Sequence, residues 1–209
     1  MQLIRIATIS LIAIAVCGGP AVAKPANCPA FDVKGDRPLD AVAIPPAGLC
    51  KVRTKAGFQF PDPTCTPGAV NPALTNAILK NKNFRTGCER DQATSATRKK
   101  ITYDWYAIKK PANNREPHMI CELDHLISIE LGGADTLDNI WPQCGPDGAT
   151  GEDRAFKQKD LVENYLAAQI RAGKMNKADV QKGIAQDWTQ YLARSKAYYA
   201  THKKRNDGG

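Results

Sequence analysis

The stretch Glu122-Leu-Asp124-His125-Leu-Ile-Ser-Ile-Glu130-Leu-Gly132-Gly133-Ala-Asp-Thr-Leu-Asp-Asn139-Ile-Trp141-Pro-Gln143 decides how the chain is read. Residues 119–129 form a run of β type, Gly132-Gly133 marks a turn, and 139–143 is a short second strand. On a strand, neighbouring side chains leave opposite faces, so adjacent Asp124 and His125 place a hard oxygen ligand and an imidazole on either side of one backbone point, unless the strand ends or bulges there. An Asp-His pair alone is usually a surface hydrogen-bonded pair, and Gly-Gly alone is only a turn. Together with Asn139 at this spacing they point to a site.

Around this core the pattern is mixed. Residues 24–68 are rich in Pro and Gly, with one loosely alternating stretch at 51–60 that reads as a single strand. Asn71 followed by Pro72 reads as the start of a short helix over 71–79. Residues 95–108 carry Ile101, Trp105 and Ile108 at helical spacing, with Arg98, Lys99 and Lys100 on another side. Two helices close the chain. One spans 151–172, opened by Thr150 and Asp153 at capping-box spacing, with Phe156, Val162, Tyr165, Leu166 and Ile170 as its apolar side. The other spans 177–199, capped by Asn176, with Val180, Ile184, Trp188 and Tyr191 on one stripe. These aromatics read as core packing.

The first 23 residues set the compartment. Arg5, an apolar run from Ile6 to Cys17, the breakers Gly18, Gly19 and Pro20, and Ala21-Val22-Ala23 have the layout of a cleaved secretory signal peptide. The run is shorter than the roughly 18 to 20 residues of a spanning helix. Cys17 as an acylated lipoprotein residue is the minor alternative, disfavoured by the bulk of Val16. Cleavage takes the seven cysteines to six and the charge from +8 to +7 by removing Arg5. An even set of cysteines in an exported chain reads as disulfides, formed in the periplasm or outside the cell. No C-x-x-C pair offers a zinc knuckle. With 29 Lys+Arg against 21 Asp+Glu, the chain suits an anionic partner: nucleic acid, envelope polymer or lipid surface. The 43% hydrophobic content excludes a disordered chain.

The central stretch resembles the HNH nucleases, whose ββα-metal motif reads Asp-His, a few residues, Gly-Gly, then Asn with a hydrophobic residue, then a helix. DHLISIELGG and NIWPQ look especially similar to an exported bacterial subgroup in which a CTPGA-x-NP segment, here Cys65 to Pro72, lies upstream. The resemblance covers roughly residues 63–192. It implies an α+β fold: a ββα-metal hairpin-plus-helix core with additional helices and a loop-rich, disulfide-stapled N-terminal part. The implied organisation is a signal peptide at 1–23, an extension at 24–62, a nuclease domain at 63–200 and a disordered basic tail at 201–209.

In that family the histidine is a general base and the preceding aspartate binds a divalent metal. Carried over, His125 would activate water, Asp124 would hold the metal, and Asn139 would fix the hairpin loop and the orientation of His125. The family normally adds a His or Asn ligand from the following helix, where this chain has no His. Asp153, Gln158, Glu163 or Asn164 could substitute, and Glu163 also stands one turn from Lys159, where an i,i+4 salt bridge competes. Glu122, two residues before Asp124 on the same strand face, is another ligand or supporting partner. If Ile127 lies opposite Asp138, Cys121 lies opposite Cys144 and a disulfide would staple the base of the site; proximity alone suggests Cys65–Cys88 and Cys28–Cys50.

The resulting expectation is an exported, metal-dependent endonuclease acting on DNA, or on RNA too, with little sequence preference. It would act as a monomer with no transmembrane anchor in the mature form, using Mg²⁺ or Mn²⁺, with Zn²⁺ or Ni²⁺ as alternatives. Arg98, Lys99, Lys100, Lys109, Lys110, Lys157 and Lys159 are the candidate phosphate contacts, each equally readable as part of a solvated face. The competing expectation is a catalytically silent, disulfide-rich module binding nucleic acid or another anionic polymer. A zinc hydrolase would need neighbouring histidines that the chain lacks.

Overall fold

The computed structural model describes residues 43–90 and 99–202. The expected signal peptide, Cys28, Arg98 and nearly all of the expected basic tail lie outside them. The fold is mixed α+β, with two small antiparallel hairpins among short helices. Among the described residues no helix is long and apolar enough to cross a membrane.

Strands β1 (Arg53–Lys55) and β2 (Phe58–Phe60) pair antiparallel, with Arg53 opposite Phe60. The expected single strand over 51–60 is therefore a hairpin. Its two-residue turn, Ala56-Gly57, has positive φ at both positions (50° and 83°), the geometry that matches strand twist in tight hairpins. Phe60 at its end enters the same core as the C-terminal helices.

Helix α1 (Asn76–Lys80) begins later than expected. Thr75 caps it, its hydroxyl accepting from the Ile78 N–H, whereas Asn71 makes a local turn by accepting from the Ala73 N–H at 3.0 Å. Helix α2 (Ile101–Trp105) is a single short turn of helix, ended where Ala107 adopts φ +49°.

Strands β3 (Cys121–His125) and β4 (Ile140–Cys144) follow, antiparallel, in the register Cys121↔Cys144, Glu122↔Gln143, Asp124↔Trp141 and His125↔Ile140. Helix α3 (Ala155–Arg171) then packs on this hairpin, burying Phe156, Val162 and Leu166. The Thr150/Asp153 capping box does not form. Gly151–Asp153 is a separate 3₁₀ turn, and α3 begins after Arg154, which makes no side-chain cap.

Helix α4 (Lys177–Asp187) is capped by Asn176, whose Oδ1 accepts from Ala178 N–H at 2.8 Å and Asp179 N–H at 3.3 Å. It does not continue to 199. Asp187 turns extended, its side chain accepts from the Thr189 N–H at 3.0 Å, and a 3₁₀ turn (Trp188–Tyr191) leads into α5 (Leu192–Tyr199). The break swings Tyr191 back onto α4, where its hydroxyl would lie 2.0 Å from a Cβ at Gly183, so any larger residue there would displace the Tyr191 ring.

Two buried clusters flank the β3–β4 hairpin. One joins Ile127, Leu131, Val162, Leu166, Ile184 and Trp188; the other joins Trp105, Tyr106, Leu126, Leu137, Ile140 and Trp141. Cys121–Cys144 is bonded, with Cα atoms 4.0 Å apart. Cys50 is bonded to Cys65, which corrects both the Cys65–Cys88 and the Cys28–Cys50 expectations. The physical reason is the β1–β2 hairpin: it returns the chain on itself between the two cysteines, and Asp62 clasps the ends by accepting from the Lys51 N–H at 2.9 Å. Cys88 is disulfide-bonded as well, to none of these four.

Candidate functional site

The loop between β3 and β4 is fixed by Asn139, whose side chain is fully buried. Its Oδ1 accepts from the Ile127 N–H at 2.9 Å, and its Nδ2 donates to the carbonyls of Ile127 and Ala134, both at 2.8 Å. Its amide is thus spent on backbone groups, which makes it a lock for the loop and not a group that meets a reactant. Gly133 is obligatory beside it, because a Cβ there would sit 1.8 Å from the Ile127 carbonyl oxygen. Upstream, Gly68 N–H donates to Asp138 O at 3.1 Å and Asn71 N–H to Gly132 O at 2.9 Å, so the Cys65-to-Pro72 segment buttresses the same turn.

Strand β3 ends at His125. Its last two side chains leave opposite faces, and each face has its own polar partners. On one face, His125 Nε2 lies 2.8 Å from Asp135 Oδ1, and Lys99 Nζ donates to the same oxygen at 2.5 Å. All three side chains are under a tenth exposed. Burial pushes the His125 imidazole below its ordinary value, against the upward pull of Asp135, with Lys99 and Arg90 adding to the downward push. Burial alone would raise the Asp135 carboxyl, but His125 and Lys99 outweigh it and hold it well below the carboxylate range.

On the other face, Glu122, Asp124 and Gln143 turn toward α3, which contributes Lys159, Asp160 and Glu163. Lys159, 1% exposed, places Nζ 2.8 Å from Asp124 Oδ2, donates to the His125 carbonyl at 2.7 Å and pairs with Glu163. Although burial opposes its charge, Asp124 and Glu163 raise its pKa further. The remaining acids are crowded. Burial, then Asp124, then Asp160 push Glu122 up to about 7; burial and then Asp124 push Asp160 up to about 6; burial likewise raises Glu163. Among the described residues, the cations that act on these four carboxylates are Lys157 and Lys159, a formal excess of two negative charges when all are ionised. Gln143, directly opposite Glu122, is fully buried, yet among the described residues neither its Oε1 nor its Nε2 has a partner.

A buried amide without a partner beside an under-neutralised acid cluster fits a cation. Among the described residues no three His, Cys, Asp or Glu side chains already surround one point as a metal would require. The oxygen donors that could close on one are Glu122, Asp124, Asp160 and Gln143 Oε1. An all-oxygen set suits Mg²⁺ or Mn²⁺ better than Zn²⁺ or Ni²⁺, which favour nitrogen and sulfur.

Of the four helix-ligand alternatives, only Glu163 lies in this cluster. Asp153 is exposed in the turn before α3, Gln158 donates to the Asp153 carbonyl at 2.9 Å, and Asn164 donates to the Asp160 carbonyl at 2.8 Å. Two expected phosphate contacts are corrected: Lys99 and Lys159 are buried in ion pairs with Asp135, and with Asp124 and Glu163, because these carboxylates need internal countercharges. Lys100, Lys109 and Lys110 are exposed, and Lys157 packs over the Phe156 ring at 5.4 Å. His118 is exposed in its loop.

Asp135, Asp160 and Gln143 were not singled out from sequence. Asp160 was accessible, being three residues before Glu163 and hence on its helix face. Gln143 was too, since the register that pairs the cysteines also sets it against Glu122. Arg154 was not: it is buried, donating to the Gly151 and Met119 carbonyls and to Glu116, and so ties the start of α3 to the segment that leads into β3. Compared with known proteins, the chain matches no family model, no curated protein and no solved structure.

Proposed function

We propose that the protein hydrolyses phosphodiester bonds of nucleic acid, DNA foremost, with a divalent cation, in the manner of the HNH nucleases it resembles, after export to the periplasm or the medium. The observation that carries this reading is a histidine held by a buried carboxylate at the end of a strand whose preceding residue, Asp124, faces an under-neutralised acid cluster. The β3–β4 hairpin with α3 packed on it is the arrangement that a ββα-metal core would need.

Attack on an anionic phosphodiester requires a base to deprotonate water and a positive charge to offset the charge that develops on phosphorus oxygens. Burial pushes the His125 imidazole below its ordinary value, which favours the neutral form able to take that proton. Glu122, Asp124, Asp160 and Gln143 would hold the cation, which supplies Lewis-acid stabilisation when bound. Asn139 keeps the loop after His125 in place, and Lys159, ion-paired with the Asp124 carboxylate and donating to the His125 carbonyl, links the two faces. Exposed Lys100, Lys109 and Lys110 are the described candidates for non-specific phosphate contact.

A second reading is favoured by Lys159, whose ammonium already neutralises part of Asp124: a silent module that binds nucleic acid without cutting it. Incubating the oxidised protein with supercoiled plasmid and Mg²⁺ or Mn²⁺ separates them. Nicking that EDTA abolishes and His125→Ala loses supports hydrolysis; plasmid binding without nicking supports the module; cleavage undiminished in EDTA sinks the cation-dependent mechanism.

A further inference from the structure

We infer that Asp135, itself held by Lys99, is the positioning residue that fixes the tautomer of His125 and makes Nδ1 the nitrogen that acts as base. This rests on the hydrolytic reading above and deepens it. The two bonds to one oxygen carry the argument: Lys99 Nζ donates to Asp135 Oδ1 at 2.5 Å, and His125 Nε2 lies 2.8 Å from the same atom. A carboxylate gripped by an ammonium is an acceptor only, so the imidazole hydrogen belongs on Nε2. In a neutral imidazole the lone pair is then on Nδ1, and no described residue bonds that nitrogen.

The dyad is built to hold this arrangement. His125 is pinned by strand pairing with Ile140, Asp135 is carried by the loop that Asn139 locks through the Ala134 carbonyl, and Thr102, at the start of α2, fixes the backbone of Lys99 by donating to its carbonyl at 2.8 Å. Three separate segments thus converge on one oxygen. In the reaction, the water oxygen bonds to phosphorus as its proton passes to Nδ1, and the phosphorus–oxygen ester bond breaks. The leaving oxygen takes a proton from solvent, and the imidazolium returns its own to solvent.

The test reads the tautomer directly. The chain has three histidines, so ¹⁵N-histidine NMR with His125→Ala as the subtraction control assigns the His125 ring. The wild type is expected to show a protonated Nε2 and a bare Nδ1. Asp135→Asn, whose amide can offer either an oxygen or an N–H, is expected to mix the tautomers and lower kcat about 10²–10⁴-fold with KM changed less than about threefold. A wild-type ring protonated on Nδ1, or an Asp135→Asn protein with unchanged tautomer and turnover, overturns the inference. The wild-type spectrum decides even where Asp135→Asn does not fold. A wild type with the expected tautomer and no cleavage of any phosphodiester overturns the hydrolytic reading and leaves the positioning of His125 by Asp135 upheld.

Discussion

Replacing Lys159 with methionine removes the ammonium while keeping an unbranched stem of similar length, so the packing of α3 against the hairpin is disturbed little. What is lost is electrostatic. The side chain is 1% exposed, and its Nζ serves Asp124, Glu163 and the His125 carbonyl together. Removing one partner of a buried ion pair strands the other and costs about 3–5 kcal/mol. For a chain of this size each kcal/mol moves Tm by roughly 2–4 °C, so Lys159→Met should unfold roughly 6–20 °C below the wild type in EDTA. Urea titration followed by far-ultraviolet circular dichroism, disulfides intact, gives the free energy independently of the thermal scan. Adding Glu163→Gln to the methionine variant should recover part of the loss, because it removes one stranded carboxylate, and the two substitutions should be strongly non-additive. A loss below about 1 kcal/mol, or simple additivity, would refute the claim that Lys159 is an internal countercharge.

Three further outcomes follow from the same geometry. Asn139→Ala leaves two Ile127 backbone groups and the Ala134 carbonyl without their partner inside the fold, and should cost about 2–4 kcal/mol in urea titration. Glu122 and Asp160 are raised to about 7 and about 6, so the stability they lend is complete below their ordinary values and is lost as pH rises through the raised ones; the urea midpoint in EDTA should fall between about pH 5 and pH 8, and Glu122→Gln should flatten that fall. The Cys121–Cys144 bond closes a sequence separation of 23, for which chain entropy gives about 3 kcal/mol, so the double serine variant should lose about that much in the same titration.

The β3–β4 hairpin was legible because the β-type run, the Gly-Gly turn and the two flanking cysteines all constrain one register, and Cys121 indeed pairs with Cys144. The cap at Asn176 was legible for the same kind of local reason. The β1–β2 hairpin was missed because its turn places Ala56, not only Gly57, at positive φ, and alanine carries no turn signal. The break at Asp187 was missed because the apolar stripe runs straight through it; what bends the chain is Asp187 bonding to Thr189 and Tyr191 closing on Gly183.

At the site, Asp124, His125 and Asn139 stand adjacent to one another through the hairpin, as their spacing suggested. The roles of the lysines were hidden. Whether a lysine faces solvent or a buried carboxylate depends on which helix face meets the hairpin, and that is settled by packing between segments far apart in sequence. Lys99 meets Asp135 across 36 positions, and Lys159 meets Asp124 across all of β4 and the turns on either side of it. Helical spacing put Lys99 on a basic face and offered Lys159 the i,i+4 pair with Glu163 that forms, but it carried no sign that either lysine is buried against a carboxylate of another segment.

Phosphodiester chemistry at His125 can be measured in isolation. Turnover of bis(4-nitrophenyl) phosphate in Mn²⁺ at neutral pH, in wild type and in a His125→Ala protein of matched urea midpoint, measures that without any contribution from nucleic-acid binding. The wild type should release 4-nitrophenol and the variant should be slower by about 10²–10⁴-fold; equal rates in the two proteins would rule out His125 as the base.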